Sequence, residues 1–241
     1  MKGAHPVHYL DYLSTADLRG KYEHDPNVDQ SRIVEVDFVS GGDMVSAVPP
    51  ELRFAGIVAS HVVEHVPDLI GWLAQARELL VPGGILSLVV PDKRYTFDRA
   101  RDVSTVGEVI GAHLEGRVRP GPAQVVQFFS SAVQFDFAAA WADTLSPADL
   151  HPKHTLDVAV ELGRQAASGR YVDVHCWIHT PRSFLELMVG LTRHGFAGFS
   201  LSSFRDTARN ELEFYVALRQ DDRERDVLSA SFQAAMAEAE A

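Results

Sequence analysis

Apolar positions along this chain fall into short continuous runs and helical stripes, and the two alternate most clearly between Ile57 and Asp98. Ile57 to Ser60 form a short apolar run that stops at His61. Leu69, Leu73, Ala76 and Leu80 then recur at helical spacing and define one buried face. Pro67 and Asp68 suit the start of that helix, because proline fits a first turn and an acid there meets the helix dipole. Pro82-Gly83-Gly84 is expected to end it, glycine supplying a positive φ. Ile85 to Val90 are almost wholly apolar, as in a strand covered on both faces. Parallel strands joined by a helix form a right-handed unit, and ligands sit beyond the carboxyl ends of its strands. Those ends are Ser60–His65 and Pro91–Tyr95, both polar and crowded with ionisable groups.

The flanking segments predict further elements. Val7 to Leu10 read as a short strand ending at Asp11, and Ser14 as the N-cap of a helix over Thr15–Tyr22. His24–Asn27 has turn chemistry. Ile33 to Val36 read as a strand ending at Asp37. Ser40–Asp43 is a loop, and Asp43–Leu52 is irregular or a short helix. From Thr105 to Gly169 the strand–helix alternation stops. Val106–Leu114 is followed by a basic Pro/Gly turn, GRVRPGP, and by helical stretches at Ala123–Asp143 and Leu156–Ala167. Phe128, Phe129, Phe135, Phe137 and Trp141 make this insertion dense in aromatics. It packs its own apolar face, forms a lid over a substrate site, or does both, since long insertions in compact domains are often lids. Tyr171–Thr180 precedes Pro181, which starts a helix over Arg182–His194 ended by Gly195. Two closing strands follow, and Asp221 onward reads as a surface helix or a frayed tail.

Composition narrows the class. For 241 residues, one α/β domain with an insertion is the simpler organisation. Residues 1–104 and 170–220 supply its core, 105–169 the insertion and 221–241 a tail. A net charge of −11 argues against a nucleic-acid surface, which needs clustered Lys and Arg. Cys176 is the single cysteine, so an internal disulfide and a cysteine-cluster metal site are excluded. No apolar run approaches the roughly 20 residues that cross a membrane, and the N-terminus lacks a charged-then-apolar signal pattern. The expectation is a cytoplasmic protein acting on a small molecule. Its oligomeric state is left open.

SHVVEHVPD, the following helix, LLVPGG and the next strand together resemble the central part of class I S-adenosylmethionine-dependent methyltransferases (a type 11-like domain). VHYLD and IVEVD resemble that family's second and third strands, and GFSLSSFRDT with ELEFYVALR its closing antiparallel pair. The resemblance implies an α/β fold with a Rossmann-like, doubly wound, mostly parallel sheet, a C-terminal antiparallel strand pair and a helical insertion. It also implies S-adenosyl-L-methionine as cofactor. Asp11 takes the place of the acid that bonds the ribose hydroxyls, Asp37 that of an adenine-side contact, and Ser60 and His61 line the cofactor pocket. The family opens with a strand and an acidic, Gly-rich loop, and no such segment precedes VHYLD. The chain is therefore read as N-terminally shortened, or as a relative that does not bind the cofactor.

Candidate chemistry gathers at the two strand exits. His61, Glu64 and His65 stand at i, i+3 and i+4 and share a face if helical. Some methyltransferases carry Glu-x-x-Glu-His here and bind a divalent metal. His61 replaces the first Glu, and His175 or His179 is the residue that would complete such a site, so metal dependence is left open and no metal ligand is assigned. Glu64 and His65 either fix the elbow through backbone bonds, or a histidine serves as base. His65 is the first catalytic candidate and His175 the second, with Asp173 placed to orient an imidazole. Asp92, Lys93 and Tyr95 are the substrate-binding candidates. Asp98, Arg99 and Arg101 join them or form a surface ion-pair cluster. The main alternative is a non-catalytic methyltransferase-like partner or regulatory subunit. A dinucleotide or nucleotide-sugar enzyme lacks its G-x-G-x-x-G fingerprint.

Overall fold

The computed structural model describes residues 6–26 and 28–239, and the chain divides into two compact units between Arg53 and Phe54. Asn27 of the predicted turn and the last two residues of the predicted tail lie outside the described residues.

In the first unit β1 (Leu10–Asp11) pairs in parallel with β2 (Phe38–Val39). Helix α1 (Thr15–Lys21) begins where predicted, with the Ser14 side chain accepting from the Asp17 amide. The strand expected at Ile33–Val36 is displaced to Phe38–Val39. Two bonds account for the shift. The Ile33 amide closes a 3₁₀ turn onto Gln30, and the Val36 amide donates to the Thr15 hydroxyl, so neither is available to a ladder. Asp37 thus precedes its strand instead of ending one. Helix α2 (Met44–Ala47) follows, capped by Asp43.

The second unit is built on a mixed four-stranded sheet ordered β3 (Phe54–Ser60), β4 (Leu80–Pro91), β8 (Glu213–Gln220), β7 (Phe199–Arg205). β3 and β4 are parallel, while β8 runs antiparallel to both β4 and β7, as the sequence predicts for the closing pair. Helix α3 (Leu69–Leu79) links β3 to β4 and buries Leu69, Ile70, Leu73 and Ala76. It ends one residue before Leu80 in extended backbone, so Pro82-Gly83-Gly84 is not its cap. Gly83, at φ +76°, instead sits in an irregularity of β4 ahead of its regular pairing from Ile85. Within β4, Leu86, Leu88 and Val90 are buried and Ile85, Ser87 and Val89 only half-buried. One face is therefore covered fully, not both.

Helix α8 (Pro181–Arg193) is capped by Thr180, opens on proline and stops before Gly195, at φ +79°. Its Phe184 meets Phe214 of β8 edge-on at 5.7 Å. Each such ring or leucine removed from water contributes roughly 1.5–3 kcal/mol. Of the two expectations for the stretch after Asp221 the helix holds: α9 (Arg225–Ala235) packs by burying Leu228 and Phe232.

The insertion holds α4 (Val106–Leu114), α5 (Pro122–Ser131), β5 (Val133–Gln134), α6 (Phe137–Trp141), β6 (His151–Pro152) and α7 (Leu156–Ala167). The single helix expected over Ala123–Asp143 is broken. The Val133 amide leaves the helical ladder for the Phe97 carbonyl, and the Asp136 carboxylate caps a new helix through the Ala138 and Ala139 amides. Among the described residues no helix is long and apolar enough to cross a membrane.

Candidate functional site

Three segments of the second unit converge at the carboxyl ends of β3 and β4. The first is the elbow from His61 to Asp68. It opens on His61 in the left-handed region, at φ 52°, a conformation that costs a non-glycine residue energy and clusters at functional sites. The second is the exit of β4, where Asp92 caps a 3₁₀ turn over Lys93–Tyr95 and the chain runs on to Arg101. The third is the extended stretch Asp173–Thr180. The Cys176 and Trp177 amides donate to the Glu64 carbonyl at 2.6 and 3.2 Å, and the Trp177 indole N–H to the Val66 carbonyl at 2.6 Å. These bonds hold the elbow against the third segment and set Glu64 and His65 beside His175.

Glu64, His65 and His175 each offer an atom, and these atoms lie within 4.8 Å of one another. The two imidazoles meet edge-to-face, centroids 4.7 Å apart. His65 Nδ1 lies 2.9 Å from the Asp173 carboxylate, and His175 Nδ1 lies 2.5 Å from that of Asp98. A carboxylate only accepts, so Nδ1 carries the proton in each ring and Nε2 keeps the lone pair of the neutral form. Burial is the largest single effect on His65 and opposes its charge, but the bond and charge of Asp173 together with the charge of Glu64 outweigh it, and its pKa lies above the ordinary histidine value.

Asp98 is fixed in turn. Arg101 Nη1 donates to it at 2.6 Å, and Nη2 donates to the His175 carbonyl at 3.0 Å. Both Asp98 and Arg101 are 2% exposed, so the expected surface ion-pair cluster is a buried one. Burial raises the cost of charge on Asp98, yet His175 and Arg101 hold its carboxyl below the usual range. From α5, Phe128 lies 6.0 Å from the His175 ring and 5.3 Å from the Arg101 guanidinium. The insertion therefore packs on itself and also walls this cluster. The nearby Cys176 thiol, pushed up to about 12 by burial, is no nucleophile.

Glu64 is fully buried, and neither carboxylate oxygen has a hydrogen-bond partner. His61 Nδ1 approaches it to 3.4 Å, a charge contact without hydrogen-bond alignment. The other nitrogen of His61 lies 3.0 Å from Glu213. Between these carboxylates, Glu64 first, the His61 pKa is raised against the opposing effect of burial.

The remaining predicted residues belong partly to this unit and partly to the first. Ser60 is exposed at the end of β3. Asp92 is buried, and its carboxylate is taken by Arg94 and the Thr207 hydroxyl, so it braces the strand exit. Lys93 donates to the Arg101 carbonyl, and burial lowers its pKa. Tyr95 stacks on Trp141 at 3.8 Å. In the first unit Asp11 accepts from the Leu13 amide at 2.9 Å and borders a cavity of about 310 Å³ whose other walls include Tyr9, Tyr22 and Val36. An acceptor-only carboxylate beside aromatic and aliphatic walls fits the nucleoside end of S-adenosylmethionine. Asp37 accepts from the Tyr9 amide at 2.8 Å and faces His8, which ties β2 to the segment before β1. Sequence reasoning named Asp98 and Arg101 as a cluster but not their part in orienting His175, and it did not name Glu213.

Comparison with known proteins agrees with this picture at the level of family. A sequence profile described as a methyltransferase domain matches residues 22–197. No curated protein matches the sequence. Among solved structures, the CcbJ methyltransferase from Streptomyces caelestis shares 14% identity over 86% of this chain and 71% of its own, with a TM-score of 0.38, a likeness too loose to carry an argument.

Proposed function

The chain belongs to the methyltransferase-domain family, and from that premise we propose that it transfers a methyl group from S-adenosyl-L-methionine to a small-molecule acceptor. The cofactor supplies a methyl already activated on a sulfonium, so the protein's task is to align an acceptor nucleophile and ease loss of its proton. His65 and His175 are the catalytic residues. Asp173 and Asp98 fix the rings so that each turns Nε2 to the acceptor. Lys93 and Tyr95, at the neighbouring strand exit, line the acceptor's approach, and Asp92 sets the backbone from which they project. Asp11 accepts the ribose hydroxyls. Asp37, Ser60 and His61 keep the cofactor contacts that the family resemblance assigns to them. The chain's acidity and lone cysteine support a cytoplasmic enzyme of small molecules.

The observation that carries this reading is the convergence of two carboxylate-oriented imidazoles at the carboxyl ends of adjacent parallel strands. The alternative reading is a methyltransferase-like partner without catalysis. Calorimetric titration with S-adenosylmethionine and S-adenosylhomocysteine separates them. Micromolar binding is expected, and a folded chain that binds neither sinks the enzymatic reading. Once an acceptor is found, His65→Ala and His175→Ala are each expected to lower turnover by about 10²-fold or more. Unchanged turnover in both removes them from the catalytic role.

A further inference from the structure

We infer that Glu64, His65 and His175 form a binding site for one divalent transition-metal ion of the zinc or cobalt type. This refines the proposed function, since with the ion bound the Nε2 lone pairs hold it and the ion, not the rings, eases loss of the acceptor's proton; the evidence for the site is independent of that reading.

Three observations point the same way. The ligand atoms are already gathered, within 4.8 Å of one another. Zinc bonds of roughly 2 Å put ligand atoms about 3.4 Å apart, so the three need to close by about 1 Å. Second, both imidazoles present the tautomer a metal requires. His65 Nδ1–H donates to Asp173 and His175 Nδ1–H to Asp98, the carboxylate–histidine arrangement that orients metal-binding rings. Asp98 is itself locked by the buried Arg101, so the outer layer is complete on that side.

Third, the Glu64 carboxylate has no hydrogen-bond partner although its residue is fully buried. A buried charge without bonds is costly, and its one charged neighbour, His61 at 3.4 Å, does not supply one. A cation between Glu64 and the two rings supplies the missing partner. His65 is only partly covered, which leaves an entry path from solvent.

The donor set defines the ion. Two imidazoles and one carboxylate suit zinc and its first-row neighbours, while magnesium and calcium prefer oxygen ligands. Three protein ligands leave a position open, as in catalytic zinc sites, and an acceptor oxygen or nitrogen placed there loses its proton more easily.

The test uses the full, tag-free chain, stripped with a chelator and titrated by calorimetry with Zn²⁺, with Mg²⁺ as contrast. Co²⁺ absorption provides a second readout. One saturable Zn²⁺ per chain is expected, with a visible Co²⁺ band and no comparable Mg²⁺ binding. Glu64→Gln keeps the shape and removes the charge, and is expected to abolish tight binding. Asp173→Asn, at a half-exposed position, leaves the ligands in place and is expected to weaken binding 10–100-fold. It serves as the decisive variant where Glu64→Gln does not fold. No saturable Zn²⁺ site in the wild type, or Zn²⁺ affinity unchanged in these variants, overturns the inference. A chain that binds no metal but loses turnover in the histidine variants refutes this site and leaves the methyl-transfer reading standing. Metal binding with unchanged turnover in those variants keeps the site and removes the two histidines from the catalytic role.

Discussion

His179 makes the stability of this protein depend on pH in a direction that can be worked out in advance. Its ring is completely enclosed, neither nitrogen has a hydrogen-bond partner, and Phe184 meets it edge-on at 5.3 Å. Its neighbour across the isolated bridge, Asp92, has its carboxylate taken by Arg94 and Thr207. Burial therefore acts on the ring unopposed and pushes its pKa down to about 4. In the unfolded chain His179 takes up a proton as the pH falls through about 6.5. The folded protein takes up none there until about 4. Unfolding binds a proton in that window, so acidification drives it, and the lost stability is regained as the pH rises above 6.5. Between about pH 7.5 and 5.0 this one group costs about 2 kcal/mol, at 1.36 kcal/mol per pH unit. His179→Leu removes the titration and the two orphaned nitrogens together. Urea unfolding followed by circular dichroism at both pH values gives four stabilities. The gap between variant and wild type is expected to widen by about 2 kcal/mol at the lower pH in the variant's favour. Other titrating groups cancel in that difference. A gap that does not change with pH refutes the reasoning, because it requires either a protonated ring in the fold or a partner for it.

Two further substitutions probe the scaffold. Arg101→Met strands Asp98 with His175 alone inside the core and is expected to cost about 3–5 kcal/mol, read as a lower thermal midpoint; a loss under 1 kcal/mol refutes a structural role for the pair. Gly163 of α7 has Val126 of α5 where a Cβ would sit, at 2.3 Å, so Gly163→Ala is expected to destabilise by about 1–3 kcal/mol although alanine favours helix. Restoring the loss with Val126→Ala confirms the cause, and a stabilised single variant refutes the close approach.

The parts of this fold that were legible in the sequence are those set by local chemistry. Ser14 caps its helix as predicted, and helices start after Pro67-Asp68 and at Pro181, where proline and an acid suit a first turn. Periodicity placed the helices over Val106–Leu114 and Leu156–Ala167 at the observed boundaries. Misreadings occurred where a distant partner outbid the local pattern. Val133 joins Phe97 and ends a helix that composition would continue, and Val36 joins Thr15 and loses its strand.

The candidate site divides along the same line. His-x-x-Glu-His marked the elbow, and its position after an apolar strand said that these groups stand at a ligand-facing rim. The sequence could not say which way the rings turn, because that is decided by carboxylates far along the chain. Asp173 is 108 residues from His65, and Asp98 is 77 from His175. Nor could it show that Glu64 is left bare, since an unsatisfied carboxylate is defined by everything that fails to reach it. Orientation and deprivation are properties of the folded neighbourhood. Together they turn three common residue types into a centre whose donor atoms lie within 4.8 Å of one another.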